Sequence, residues 1–231
     1  MKITLKLCLV SSILLLNGCS YDLASLVPWK QTAPTNVCTT KPIAKPTTPK
    51  TYAEFKQKTN LRKSYKVFKN KELLAQATPE NTQLKVDVSE QRVKLYVDDK
   101  VALSSPCTTG AKHKFEPNTK IYRDKRTPMG TFKITEKISD KRSTIFGNYY
   151  RGKKRVYHGD KRKFRGCKTG LRYEGASLKN WMRLTSSGVG LHASKYVKRY
   201  PGTNGCIRLP YGVSKTIFKH VHNGTKVSVV N

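Results

Sequence analysis

Val86, Val88, Val93, Leu95 and Val97 alternate with polar residues on either side of Ser89-Glu90-Gln91. A period of two is that of a strand with one dry face and one wet face. Two strands joined near 89–91 are therefore expected, with a second turn at Asp98-Asp99-Lys100 and a third strand over 101–107. Further strands are expected over 131–136 and 182–185. Ser186-Ser187-Gly188 then turns the chain into Val189-Gly190-Leu191-His192. Pro210 suits the first turn of a helix. Val213, Ile217 and Val221 follow at four-residue spacing, one helical face. Asn223-Gly224 ends that helix, and 225–230 reads as a last strand. Many short strands and one late helix predict a mostly β barrel or sandwich with minor α.

The start of the chain is of another kind. Lys2 and Lys6 flank the entry to an apolar run from Leu7 to Leu16. Ten residues is too short to span a bilayer, so residues 1–18 read as an export signal. The run stops at Asn17-Gly18-Cys19, which resembles a bacterial lipoprotein processing site, with lipid on the sulfur of Cys19. Ser20, where Asp would signal retention, points to the periplasmic face of an outer membrane. Residues 19–51 are rich in Pro, Thr and Lys and read as an extended tether; from Pro28 to Lys50 it reaches ~70 Å at about 3.1 Å per residue. Residues 52–81 are a basic lead-in with one or two weakly amphipathic helices. The domain proper is 82–231, long enough for one core.

Charge narrows the partners. The chain carries a formal +32, and loss of residues 1–18 removes Lys2 and Lys6 and leaves +30. Such a charge favours anionic partners. An exported chain points to anionic wall or lipid surfaces, and no nucleic acid is expected. Residues 137–168 hold 12 Lys or Arg against Asp140 and Asp160. This basic insert is expected as a hairpin or long loop, read either as an electrostatic guide or lid for the site or as a solvated loop.

The candidate chemistry lies in Thr203-Asn204-Gly205-Cys206-Ile207-Arg208-Leu209, after His192. A cysteine past a glycine reads as a nucleophile on a tight loop, with the upstream histidine as its base. A buried structural cysteine beside an unrelated histidine is the other reading of the pair. No metal-ligand spacing is found, and no cofactor is expected. Cys107 and Cys167 leave a bridge across the domain open. His113, His158, His220 and His222 read as surface or packing residues, and Trp181 as core near the site.

The surroundings of Cys206 resemble the L,D-transpeptidase catalytic domain (YkuD-type) family. Gly190-Leu191-His192 is similar to its Gly-x-His, and Thr203 to Arg208 to its Ser/Thr-His-Gly-Cys-x-Arg, with Asn204 where the family has histidine. Lys85 to Val97 resembles the opening hairpin, Ser105 to Gly110 the next strand and turn, and Thr127-Pro128-Met129-Gly130-Thr131-Phe132 the Thr-Pro-x-Gly-x-Phe turn. The resemblance implies peptidoglycan stem peptides as partners, a thioester on Cys206, His192 as base and D-alanine as leaving group. It implies an oxyanion site at Gly205 and Cys206 in a loop with Thr203 and Asn204, and substrate contacts from Arg208 and Tyr200. A hydrolase of the same fold and an inactive wall-binding module are the alternatives; Asn204 motivates the second. Ala193 has no side-chain acceptor, so the imidazole would need a backbone carbonyl to orient it.

Overall fold

The computed structural model describes residues 49–116 and 120–231. The leader, Cys19, Cys38 and the tether up to residue 48 lie outside the described residues. Pro46–Asn231 is a compact unit.

The lead-in supplies α1 (Tyr52–Gln57), a two-residue strand β1 (Phe68–Lys69) and α2 (Lys71–Ala75). Each helix starts on a side-chain cap. Thr51 Oγ1 accepts the Glu54 N–H at 3.2 Å, and Asn70 Oδ1 accepts the Leu73 N–H at 2.9 Å. Phe55, Leu61 and Phe68 pack with Val101 as a small satellite core. The edge strand between the helices is an addition to what the sequence pattern predicted.

β2 (Thr82–Asp87), β3 (Arg92–Val97) and β4 (Lys100–Pro106) form an antiparallel meander. Asp98 and Asp99, at φ 47° and 58°, make the tight link between β3 and β4; two positive φ values in a row match the right-handed twist of a hairpin. Leu84, Val86, Val93, Leu95 and Val97 are at most 1 % exposed, so the alternation does mark the dry face. β5 (Lys114–Glu116) and β6 (Ile121–Arg123) form a separate hairpin. β7 (Gly130–Lys133) follows. Next come the long strands β8 (Glu136–Arg151), β9 (Lys154–Asp160) and β10 (Arg172–Arg183). β11 (Gly190–Ala193), β12 (Ile207–Leu209), α3 (Tyr211–His220) and β13 (Lys226–Val230) complete the chain.

One sheet runs β1-β4-β3-β2-β13-β7 and the other β12-β11-β10-β8-β9. β13 lies parallel to β2, with Val227 level with Leu84. A single core takes Leu84, Val93 and Val229 from the first sheet, Met182, Leu191 and Ile207 from the second, and Ile217 from α3. This is the expected mostly β fold with a late helix, in its sandwich form.

The basic insert is the outer part of the second sheet. β8 and β10 run in register from Glu136↔Arg183 to Tyr150↔Arg172, broken where 143–146 stand opposite Ala176 alone. Gly175 and Gly147 sit at the break, where a Cβ would come within 2.0 Å of Ser143 O and 2.3 Å of Glu174 O respectively. Beyond it Tyr149, Tyr157, Phe164 and Tyr173 pack ring on ring, with centroids 4.9 to 6.3 Å apart. The arm thus carries its own aromatic core.

Candidate active site

β11 and β12 are parallel, with Leu191 level with Ile207 and His192 level with Arg208. Leu191, Ile207 and Leu209 are fully buried and point into the core. Alternation then turns His192 and Arg208 to the opposite face. Cys206 precedes β12, two residues before Arg208, and so belongs to that same face. Its thiol faces the Gly188 carbonyl at 3.7 Å, and the Gly190 N–H is directed at the sulfur. The sulfur therefore lies beside the segment leading to His192. Diagonal neighbours of this kind are within reach of long side chains.

The imidazole is oriented from behind. His192 Nδ1 is 2.9 Å from the Ala193 carbonyl. A carbonyl only accepts, so Nδ1 carries the proton and Nε2 keeps its lone pair. The Trp181 ring lies 6.3 Å from the imidazole at 33°. Trp181 is itself held by its Nε1–H donating to Glu136 Oε2 at 2.8 Å; Lys141 and Arg183 donate to the same oxygen. Gly190 leaves room for that ring: a Cβ there would sit 2.4 Å from Met182 O and 2.8 Å from the indole.

Burial sets the charge state of the pair. It pulls His192 down to about 4, and the nearby Arg208 charge adds to this. Burial also pushes the Cys206 thiol up from its ordinary value, with the Gly190 N–H and Arg208 opposing. Both shifts favour imidazole and thiol over imidazolium and thiolate near neutral pH.

Two buried threonines shape the loop. Thr127 Oγ1 donates to Gly205 O at 2.7 Å and accepts the Gly110 N–H at 2.8 Å. Thr203 Oγ1 donates to Cys206 O at 2.6 Å and accepts the Gly205 N–H at 3.1 Å. Gly205 has φ +112°, which a side chain would strain. The Gly205 N–H, expected at the oxyanion site, donates here to the Thr203 hydroxyl. The Cys206 N–H has no hydrogen-bond partner among the described residues. Asn204 is exposed.

The segment after β4 carries both the strand and the loop. Thr108 exchanges backbone hydrogen bonds with Arg208 at 2.9 and 3.0 Å, and Thr109 O accepts the N–H groups of Gly202 and Thr203. Gln91 fixes that segment through Thr109, accepting its N–H at 2.9 Å and donating to its Oγ1 at 2.7 Å. Arg199 donates to the carbonyls of Leu61, Glu90 and Gln91, which ties the 194–202 loop to the lead-in. A groove of about 580 Å³ opens beside Arg208, between Phe115 and Tyr122 on one wall and Tyr196 and Tyr200 on the other. Lys114, Lys198 and His113 also line it, and among the described residues no carboxylate does. Arg208 forms no ion pair among the described residues, and burial lowers its pKa.

Sequence reasoning thus brought His192, Cys206, Thr203, Gly205, Arg208 and Tyr200 to one place. It missed Thr127, Gln91, Arg199 and Glu136 as supports. For Thr127 the signal was present, since it opens the quoted Thr-Pro-Met-Gly turn. The open Cys107–Cys167 bridge is not formed: Cys107 is free and buried, its thiol pushed up to about 12 by burial, and Cys167 is free and exposed. Among the described residues no group of three His, Cys, Asp or Glu could hold a metal, and no helix is long and apolar enough to cross a membrane.

Residues 81–229 match the family described as L,D-transpeptidase catalytic domain, YkuD. No curated protein matches the chain. Among solved structures, an L,D-transpeptidase from Mycobacterium smegmatis is 17% identical over 64% of this chain and 58% of its own, at a TM-score of 0.44. An L,D-transpeptidase from Xylanimonas cellulosilytica is 14% identical over 64% and 60%, at 0.47. One from Enterococcus faecium is 25% identical over 64% and 49%, at 0.42. The chain spans about half to three fifths of the length of these proteins.

Proposed function

The chain belongs to the L,D-transpeptidase catalytic domain family, and on that premise we propose that it is a cysteine acyltransferase acting on peptidoglycan stem tetrapeptides. The observation that carries this reading is the shared face of His192 and Cys206, with Nδ1 tied to Ala193 O and Nε2 left to accept a proton.

A stem carbonyl before the terminal D-alanine comes up to the sulfur. Ionising the pair first is costly. Burial has moved the thiol up and the imidazole down, so both changes oppose a resting ion pair. Proton transfer to Nε2 therefore accompanies C–S bond formation. The tetrahedral oxygen takes its negative charge beside the Cys206 N–H; one such donor is worth about 3–4 kcal/mol of barrier. His192 returns the proton to the departing amine of D-alanine, and a thioester remains on Cys206. A second amine, from a neighbouring stem or a protein lysine, attacks that thioester and restores the thiol; water in its place gives a carboxypeptidase. Arg208 and the lysines of the groove meet substrate carboxylates. No step needs a metal or cofactor.

Lipid on Cys19 would hold the enzyme at the periplasmic face of the outer membrane, and the tether would let it reach the wall. The test is intact-protein mass after exposure to a carbapenem. A covalent adduct is expected on the wild type and none on Cys206→Ala. A wild type that gains no mass contradicts the proposal. Product analysis with purified tetrapeptides then separates crosslinked dimers from shortened monomers.

A further inference from the structure

The strongest unused chemistry outside the site is the far end of the β8–β9–β10 arm. Arg151, Lys153, Lys154 and Arg155 run through the β8–β9 turn, all exposed. Arg172 is level with Tyr150 in the ladder, its guanidinium 5.0 Å from that ring. Lys168 is exposed on the loop returning to β10. Among the described residues, of these six cations only Arg172 has a carboxylate, Glu174 at 3.1 Å, and Glu174 also lies 3.7 Å from Arg142.

The arrangement costs folding energy. Arg151 and Lys154 are direct cross-strand partners, and like charges set opposite each other destabilise an antiparallel pair. The tip is nevertheless firmly built. The four-ring aromatic core lies just behind it, and Tyr157 OH donates to Asp160 O at 2.8 Å. Asp160 in turn caps the following turn through the Arg162 N–H at 3.0 Å. The tip is also remote from the nucleophile. β8 pairs with β10 beside the site at Lys137↔Met182, and from Met182 to Arg172 along β10 runs roughly 30–35 Å of strand. At the other end of the insert Lys163 pairs with Glu116, next to Phe115 of the groove wall.

We infer that this tip is a docking surface for the anionic headgroups of a lipid bilayer. Cations that project from both strands of a hairpin turn meet a charged plane better than a shaped ligand. Phe146 and Val156, exposed on the same arm at 39 and 42 %, supply apolar contacts of the kind found at the bilayer interface. The inference does not depend on the chemistry at Cys206.

The experiment is vesicle co-sedimentation of the full-length chain made without lipid, at about 0.1 M salt. Vesicles of phosphatidylcholine are compared with equal mixtures of phosphatidylcholine and phosphatidylglycerol. The N-terminal apolar run is common to every variant, so the difference between vesicles reads charge. Binding to the anionic vesicles should be at least about tenfold stronger and should weaken as salt rises. K153E/K154E/R155E should bring that preference to within about twofold. K56E/K58E/K63E changes net charge equally on exposed lead-in residues and should keep it. An unchanged thermal midpoint shows that both triple variants fold. No preference for anionic vesicles overturns the inference, as does equal loss in both variants. Binding to soluble polyphosphate without binding to vesicles overturns it too.

Discussion

The two ends of the five-stranded sheet treat charge in opposite ways. At the β11–β12 end, burial keeps His192 and Cys206 neutral, and threonine hydroxyls meet the Gly205 and Cys206 carbonyls. At the β8–β9 tip, five cations stand in solvent with no carboxylate among the described residues, two of them facing each other across a ladder. The first end depends on geometry, so its chemistry fails if one hydrogen bond moves. The second depends on charge density, so it tolerates movement but not charge reversal. One sheet serves both because β12, β11 and the end of β10 are fixed in the shared core while β8 and β9 add no residue to it.

The largest effect that would sharpen this contrast is on chemistry. His192→Ala should slow carbapenem acylation of Cys206 by about 10²–10⁴-fold with little change in thermal midpoint. Next in size is the loop. Thr127→Val removes a donor and an acceptor together and leaves Gly110 N–H and Gly205 O buried without partners. Denaturant titration should show a loss of about 2–5 kcal/mol, with acylation reduced as well. A change under 1 kcal/mol would mean that water replaces the hydroxyl.

The pH dependence is somewhat smaller. His192 titrates near 4 in the folded chain, below its ordinary 6.5, so the unfolded chain takes the proton first as pH falls. Its stabilising contribution is whole above about pH 6.5 and is lost by about pH 4, some 3 kcal/mol in all. His192→Gln should lack that component of the acid curve. Smallest is the tip. Lys154→Glu places a carboxylate opposite Arg151 and should stabilise the fold by about 0.2–1 kcal/mol while acylation stays constant. Destabilisation there would show that the basic residues support the arm itself.

Much of this was legible in sequence, for physical reasons. The 86–97 alternation marks the dry face because one side of that meander is wet. The four-residue spacing of Val213, Ile217 and Val221 marks α3 because only one stripe of it meets the core. Phe68–Lys69 escaped as a strand because two residues carry no period, and the length of β8 escaped because no residue of its first half, 136–143, is fully buried. The Gly190-Leu191-His192 and Thr203-to-Arg208 segments named the site. What they could not convey was contact between distant positions. Thr127 reaches Gly205 across 78 residues and Arg199 reaches Leu61 across 138, and no local pattern encodes either.

The most direct test of the central pair is the rate of thioester formation on Cys206 as a function of pH, for wild type and His192→Ala. The wild-type rate should rise through a midpoint near 4 and then hold level to well above neutrality, as a neutral thiol served by a neutral imidazole requires. His192→Ala should be slow throughout that range. A wild-type rate that climbs with thiolate through pH 9, and that the alanine variant matches, would contradict a base at position 192.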